Sequence, residues 1–299
     1  MEKYMGIDVG GTNVKIGIVD RKGGMDSKAK YATADLRNSK NFVNGYLDIL
    51  AGEFEKHPEI QEVGMGIPGT ISVDRTTCLE IAAIPDLNGV ELKKHLKDRF
   101  PGKEFYLEND ANAAALGEYY FSGSHIPENY LFVTLGTGIG SAAIINKKIF
   151  IGGDGNGMEL GHILSKNGKE LEENIGKVGI MKRAARLMNR KKTVLTDFDD
   201  LDPKRIVKAA FNGDKVSKKI FREVGETLGE GLVAVIRLLD IKTILIGGGL
   251  AAGFDLIIEE LQETLEYNLT PYYTKDMLIK RAELGNDAGI IGAASLCFK

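Results

Sequence analysis

The chain is poor in sulfur, has no long apolar run and carries almost no net charge. Its only cysteines are Cys78 and Cys297. Two are too few for a tetrahedral cysteine-rich zinc site, and they do not make a disulfide framework. No run approaches the roughly 20 apolar residues a membrane-spanning helix needs. With 39 Lys and Arg against 42 Asp and Glu, the formal charge is −3, so no strong field draws the chain to nucleic acid or to an anionic membrane. Pro/Ser linkers and low-complexity segments are missing too, which implies that any lobes are joined by packed secondary structure. The start, Met1-Glu2-Lys3, runs straight into an apolar strand and leaves no room for a signal peptide. The expectation is a cytoplasmic protein that binds neither nucleic acid nor membrane.

What is present suits a soluble α/β protein. The 299 residues are enough for two domains with real cores, and 43% hydrophobic with 27% charged residues is ordinary globular composition. Glycine is abundant, 37 in all, and it clusters at the ends of apolar runs, where a ligand can approach the main chain. Residues 5–9, 14–20 and 25–34 read as an antiparallel meander. Residues 42–56 read as a helix, with Phe42, Tyr46, Ile49, Leu50 and Phe54 on one face. A buried strand 61–67, a helix 90–99, a strand 104–107 and an alanine-rich helix 111–121 follow. Asn109 and Asp110 stand where that last helix needs an N-cap.

A similar order starts again after about residue 127. Strands 130–135 and 141–145 flank Gly136-Thr137-Gly138-Ile139-Gly140, and helices are expected over 171–189, 203–212 and 215–239. Strand 243–246 closes on Gly247-Gly248-Gly249. Helix 254–268, strand 278–282 and a small-residue helix 288–297 complete the chain. This weak duplication predicts two α/β lobes with a cleft between them: residues 1–118, completed by 288–299, and residues 119–287.

The first glycine turn, Asp8-Val9-Gly10-Gly11-Thr12, carries the densest chemistry. Paired glycines in a hairpin permit positive φ and a close backbone approach. Thr12 brings a hydroxyl, Asp8 a carboxylate that suits hydrated Mg²⁺, and Lys15 a cation. Taken alone the stretch has an ordinary tight hairpin as its lesser alternative, and Lys15 is equally a solvated strand lysine.

Three further motifs follow in order: Glu108-Asn109-Asp110-Ala111-Asn112-Ala113-Ala114, then Gly136-Thr137-Gly138-Ile139-Gly140 with Gly157-Met158-Glu159-Leu160-Gly161-His162, and then Ile246-Gly247-Gly248-Gly249. With the first turn they resemble, over essentially the whole chain, the ROK family (repressors, open reading frames and sugar kinases) of the actin-like ATPase superfamily. The resemblance implies a two-lobed, ribonuclease H-like fold with an interlobe cleft and an ATP-dependent hexose kinase, glucokinase-like, acting on the 6-hydroxyl of glucose or an N-acetylhexosamine. ATP and Mg²⁺ are implied with it, and a homodimer.

By the same resemblance Asp110 is the general base, Gly10, Gly11, Thr12, Gly136, Thr137 and Gly138 donate to phosphates, and Gly247, Gly248 and Gly249 lie against adenosine. Asp8 holds Mg²⁺, mostly through water. Gly69, Asn109, Asp110, Glu159, His162 and Glu172 face the sugar. Against these stand a capping role for Asp110, a structural role for His162 and a solvated helix position for Glu172.

Two departures from the family pattern stand out. The stretch after His162, Ser165 to Glu173, has none of the three cysteines that complete a zinc site in many members, so zinc is not expected and the loop must be held otherwise. In Pro85-Asp86-Leu87-Asn88-Gly89 an aspartate follows the proline where asparagine is usual, and either Asp86 or Asn88 takes the sugar contact. A sugar-sensing regulator without a DNA-binding domain, and a mechanical or chaperone ATPase of the same superfamily, are the alternatives. Retention of Asp110 speaks against the first, and the Glu159/His162 pair with the short chain against the second.

Overall fold

The computed structural model describes residues 2–37 and 41–298. Met1 and Lys299, the outer ends of the expected first lobe and of its C-terminal helix, lie outside the described residues. The chain opens with β1 (Lys3–Val9), β2 (Asn13–Asp20) and β3 (Met25–Ala32), then α1 (Thr33–Arg37) and α2 (Phe42–Lys56). After β4 (Glu62–Ile67) comes a small hairpin of β5 (Thr70–Ile71) and β6 (Cys78–Glu80), then α3 (Leu92–Arg99), β7 (Glu104–Asn109) and α4 (Asp110–Phe121). The second half runs β8 (Tyr130–Leu135), β9 (Ile139–Ile145), β10 (Lys148–Ile149), α5 (Leu171–Ile175), α6 (Lys177–Met188), α7 (Pro203–Phe211), α8 (Lys215–Leu239) and β11 (Thr243–Gly247). It finishes with α9 (Phe254–Asn268), α10 (Pro271–Thr274), β12 (Leu278–Arg281) and α11 (Ala288–Ser295).

Each half builds a five-stranded sheet. The first has the order β3-β2-β1-β4-β7 and the second β10-β9-β8-β11-β12. Counting only the strands of its own sheet in chain order, each reads third, second, first, fourth, fifth, so the duplication hinted at by the glycine turns is a repeat of topology. In the first sheet the meander is antiparallel, and β4 and β7 are added in parallel. By backbone contacts the chain divides into two compact units, residues 1–128, 142–158 and 286–299, and residues 129–141 and 159–285, with one division falling inside β9.

In the first unit, Met5, Ile7, Val63, Met65, Phe105 and Leu107 of the sheet pack with Phe42, Tyr46 and Leu50 of α2 in a dry core. The other side is covered by α11, whose residues apart from Ile290 and Ile291 are small. A Cβ at Gly64 would run into the Ala293 carbonyl oxygen, and one at Gly6 into that of Ile290. Glycine is required there because helix and sheet backbones touch. In the second unit α8 packs along α9, with Gly225 leaving room for the Ile257 carbonyl. No described helix is long and apolar enough to cross a membrane.

Some expected boundaries shift. Strand 25–34 ends at Ala32, because Thr33 donates its Oγ1 to the Gly10 carbonyl and begins α1. The expected helix 171–189 is two helices broken at Gly176. A side chain at Gly176 would meet the carbonyls of Glu172 and Thr137, so the break seats the chain against the second glycine turn.

Candidate active site

In the first unit the site is built on the parallel strand ends of β1, β4 and β7. Asp8 and Lys15 face each other across the β1–β2 ladder, and Lys15 Nζ lies 2.6 Å from Asp8 Oδ2. Lys15 is thus the partner of Asp8 rather than an isolated strand cation. Gly10 and Gly11 correct one expectation. Neither has positive φ. Gly10 N–H donates to the Asn13 carbonyl at 3.0 Å, and a Cβ on Gly11 would come within 3.1 Å of Ala83. Glycine is needed in this turn for proximity, not for a left-handed backbone. Gly69 does need it, with φ +86 and the Glu80 carbonyl where a Cβ would go.

Asn109 ends β7 and caps α4: its Oδ1 accepts from Ala111 N–H at 2.9 Å and Asn112 N–H at 3.2 Å. Asp110 is therefore the first helical residue and not the cap. It is half-buried, its Oδ1 accepts from Ala111 N–H at 2.8 Å, and Gly66 of β4 lets its Cα approach to a distance at which a methyl group would be tight. Asn109 Nδ2 donates to the Gly69 carbonyl at 3.3 Å, which ties two of the expected sugar-side residues together.

The two candidates after Pro85 have separate partners. Asn88 Oδ1 accepts from Ile81 N–H at 2.6 Å and so holds its own loop closed. Asp86 is paired with Arg37 of α1, Nε to Oδ2 2.9 Å. Arg37 was not singled out in the sequence, because nothing local links it to a residue 49 positions away.

In the second unit the Gly136–Gly140 turn is closed by Gly136 N–H donating to the Gly138 carbonyl at 3.0 Å. Glu172, in the first turn of α5, lies over it. Its Oε2 accepts from Ile139 N–H at 2.8 Å, and a Cβ on Gly138 would collide with that carboxylate. Lys177 N–H donates to the Thr137 carbonyl at 3.1 Å. Gly248 takes φ +87 beneath Leu135, while Gly249 is open.

Glu159 precedes and His162 ends a single 3-10 turn, Leu160–His162, with His162 N–H donating to the Glu159 carbonyl at 3.1 Å. Partial desolvation pushes the Glu159 carboxyl above the ordinary carboxylate range; His162 opposes this and Glu172 adds to it. His162 Nδ1 lies 2.8 Å from Glu170 Oε2, and that bond, with the charges of Glu170, Glu159 and Glu172, raises the imidazole pKa against its desolvation.

The loop after His162 is held by hydrogen bonds. Leu164 and Glu170 form a bridge, Glu170 and Glu173 form a capping box on α5, and Asn174 Nδ2 donates to the carbonyls of Lys166 and Glu170. Lys166 reaches Glu226 and Glu230 of α8 at 3.0 and 3.1 Å. The donors here are amides, one imidazole and carboxylates already committed to one another. They do not suit zinc, and the described residues hold no cluster of three or more His, Cys, Asp or Glu able to bind a metal.

The sequence pattern of the ROK family matches residues 4–299. The chain belongs to the ROK family. It is 31% identical to a glucokinase of Streptomyces coelicolor, over 98% of this chain and 96% of that one. Among solved structures, a putative sugar kinase from Cytophaga hutchinsonii superposes with a TM-score of 0.94 at 38% identity, over the whole of both chains. A ROK family glucokinase from Streptomyces griseus, in complex with glucose and AMPPNP, gives 0.83 at 29% identity over 99% of each. The fold is that of the actin-like ATPases.

Proposed function

We propose that the chain transfers the γ-phosphoryl group of ATP to the 6-hydroxyl of glucose or an N-acetylhexosamine, with Asp110 as the general base. It is an ATP-dependent hexose kinase of the ROK family. The observation that supports the role of Asp110 is its place as the first residue of α4, half-buried beside Gly66 of β4, with Asn109 supplying the cap. The hydroxyl oxygen attacks γ-phosphorus, the bond from γ-phosphorus to the β,γ-bridging oxygen breaks, and ADP leaves. The hydroxyl proton passes to the Asp110 carboxylate.

The backbone N–H groups of Gly11, Thr12, Thr137 and Gly138 serve phosphate oxygens in this reading, while the N–H groups of Gly10 and Gly136, expected to do the same, close their own turns on Asn13 and Gly138; Gly247, Gly248 and Gly249 serve adenosine. Gly69, Asp86, Asn109, Glu159, His162 and Glu172 serve the sugar, while Asn88 acts by closing its loop. Asp8 has the hard oxygen donor Mg²⁺ prefers and is the residue that would hold it, where the ion neutralises phosphate charge. The domain reading, 1–118 with 288–299 and then 119–287, and a homodimer belong to the same proposal.

The test is ADP release over a panel of hexoses and N-acetylhexosamines, with Asp110→Asn beside the unaltered enzyme. At least one sugar is expected to give strong turnover. The variant should lose about 10²- to 10⁴-fold in kcat, and undiminished kcat would remove Asp110 from the chemistry.

A further inference from the structure

We propose that Arg75 is a positioning residue for phosphoryl transfer, acting through Glu108 on the turn that presents Asn109 and Asp110; the inference rests on Asp110 being the base. Glu108 is 6% exposed, the last β7 residue before that turn but one. Each of its carboxylate oxygens is in use. Oε1 accepts from Asn109 N–H at 2.8 Å and from Nδ2 of the buried Asn112 at 3.0 Å, and Oε2 accepts from Arg75 Nε at 2.9 Å. One carboxylate therefore grips the turn at its first backbone amide and again one helical position beyond Ala111. The ion pair is itself nearly dry, with side-chain exposures of 15% for Arg75 and 8% for Glu108.

Arg75 is brought there by the closed tip of the β5–β6 hairpin. It sits in the tip connecting β5 and β6, with φ +57, a left-handed conformation unfavourable to a side chain of this size. The tip is closed by Asp74, whose Oδ1 accepts from Ser72 Oγ at 2.6 Å and Thr76 Oγ1 at 2.8 Å. Arg75 Nη1 also donates to the Ser72 carbonyl at 3.1 Å. Gly155 leaves room for the guanidinium where a methyl group would not fit, and Asn156 clamps β5 through both Ile71 N–H and its carbonyl. The same hairpin meets the turn a second time where Asn109 Nδ2 bonds the Gly69 carbonyl. The 69–80 segment thus braces Asn109 from two sides, and only the Arg75 side involves a buried charge pair. A strained residue held by this many partners marks a position where geometry matters.

The test compares Arg75→Met, Arg75→Lys and the double variant Arg75→Met/Glu108→Gln with Asp110→Asn and the unaltered enzyme. The measurements are kcat, KM for ATP and for the best hexose, and the kcat–pH profile, with near-ultraviolet circular dichroism to confirm folding. Removing one partner of a buried pair endangers folding because the other charge is left unpaired; Glu108→Gln removes that charge and keeps an acceptor oxygen for Asn109 and Asn112, so the double variant decides if Arg75→Met fails to fold. The expected result is a loss of kcat of about tenfold or more in Arg75→Met and in the double variant, with both KM values within about threefold. Arg75→Lys, which keeps the charge but loses the Nε donor, is expected to fall between. In Arg75→Met the acid limb of the profile moves to higher pH, because Glu108 loses its counter-charge two residues from Asp110. Undiminished kcat in the folded double variant or in folded Arg75→Met overturns the proposal. Equal kcat in Asp110→Asn and the unaltered enzyme overturns the reading of the base instead, whatever Arg75 does.

Discussion

His162 Nδ1 lies 2.8 Å from Glu170 Oε2, joining the two ends of a loop that many members of the family close with zinc. The bond sits on an exposed surface, so its worth in stability is small. Its effect is on orientation: it fixes which way the imidazole ring turns, and it holds the loop start to the helix start.

The first prediction concerns the protonation of His162. Its folded pKa is raised, chiefly by the bond to Glu170. A raised histidine pKa contributes stability that is fully present below the unfolded value of about 6.5 and is lost as pH rises through the folded value. In Glu170→Gln the largest raising cause disappears while the charges of Glu159 and Glu172 remain. The midpoint of His162 in an NMR titration is expected to drop, a clear measurement because the chain has only four histidines. An unchanged midpoint would contradict the pairing.

A second prediction separates Asp86 from Asn88. Asn88→Ala leaves the Ile81 N–H without its acceptor, and an unsatisfied, largely buried donor costs about 1–3 kcal/mol. Urea unfolding is expected to show that loss. Asp86→Asn breaks only a partly exposed ion pair with Arg37 and is expected to change stability by less than about 1 kcal/mol, yet to reorder the hexose panel. The same sugar ranking before and after Asp86→Asn would take that residue out of substrate selection.

Glu172 and Gly138 give a third. A methyl group at Gly138 displaces the Glu172 carboxylate from Ile139 N–H. Because the obstacle is the end of a flexible side chain, Gly138→Ala should fold, at a loss of about 1 kcal/mol from the broken bond. Adding Glu172→Ala should cause almost no further loss, since the two changes remove the same interaction. Fully additive losses in thermal melting would mean that the contact is not there.

The fourth tests the close approach of α11 to the first sheet. Gly64→Ala puts a methyl group against the Ala293 backbone carbonyl, which cannot turn aside. Overpacking of this kind costs about 1–3 kcal/mol, read as a lower urea midpoint with the slope unchanged. Gly52→Ala, on the open side of α2 with nothing near the added methyl group, should match or slightly exceed the parent stability because alanine is the better helix former.

Local pattern made much of this protein legible from its residues. The helical spacing of Phe42, Tyr46 and Leu50 marked α2, and the glycine turns at 10–11 and 136–138 marked the two meanders, because a side-chain period and a missing Cβ act over a few residues. The order of the four motifs was enough for the family. The sequence alone could not say that Asn109 rather than Asp110 caps α4, since both residue types suit the cap and the choice depends on where the strand ends. Nor could it say that glycine 10 and glycine 11 are small for the sake of Asn13 and Ala83 instead of for φ.

The pairs that set the geometry of the proposed site were decided by tertiary structure alone. Arg75 meets Glu108 across 33 residues, and Arg37 meets Asp86 across 49. In the linear chain these are four charged residues among many, with no periodicity to connect them. Their partnership follows from chain reversals at a hairpin tip and at a helix end, and burial then makes it specific: a carboxylate removed from water must find donors, and only the folded backbone determines which donors are within reach.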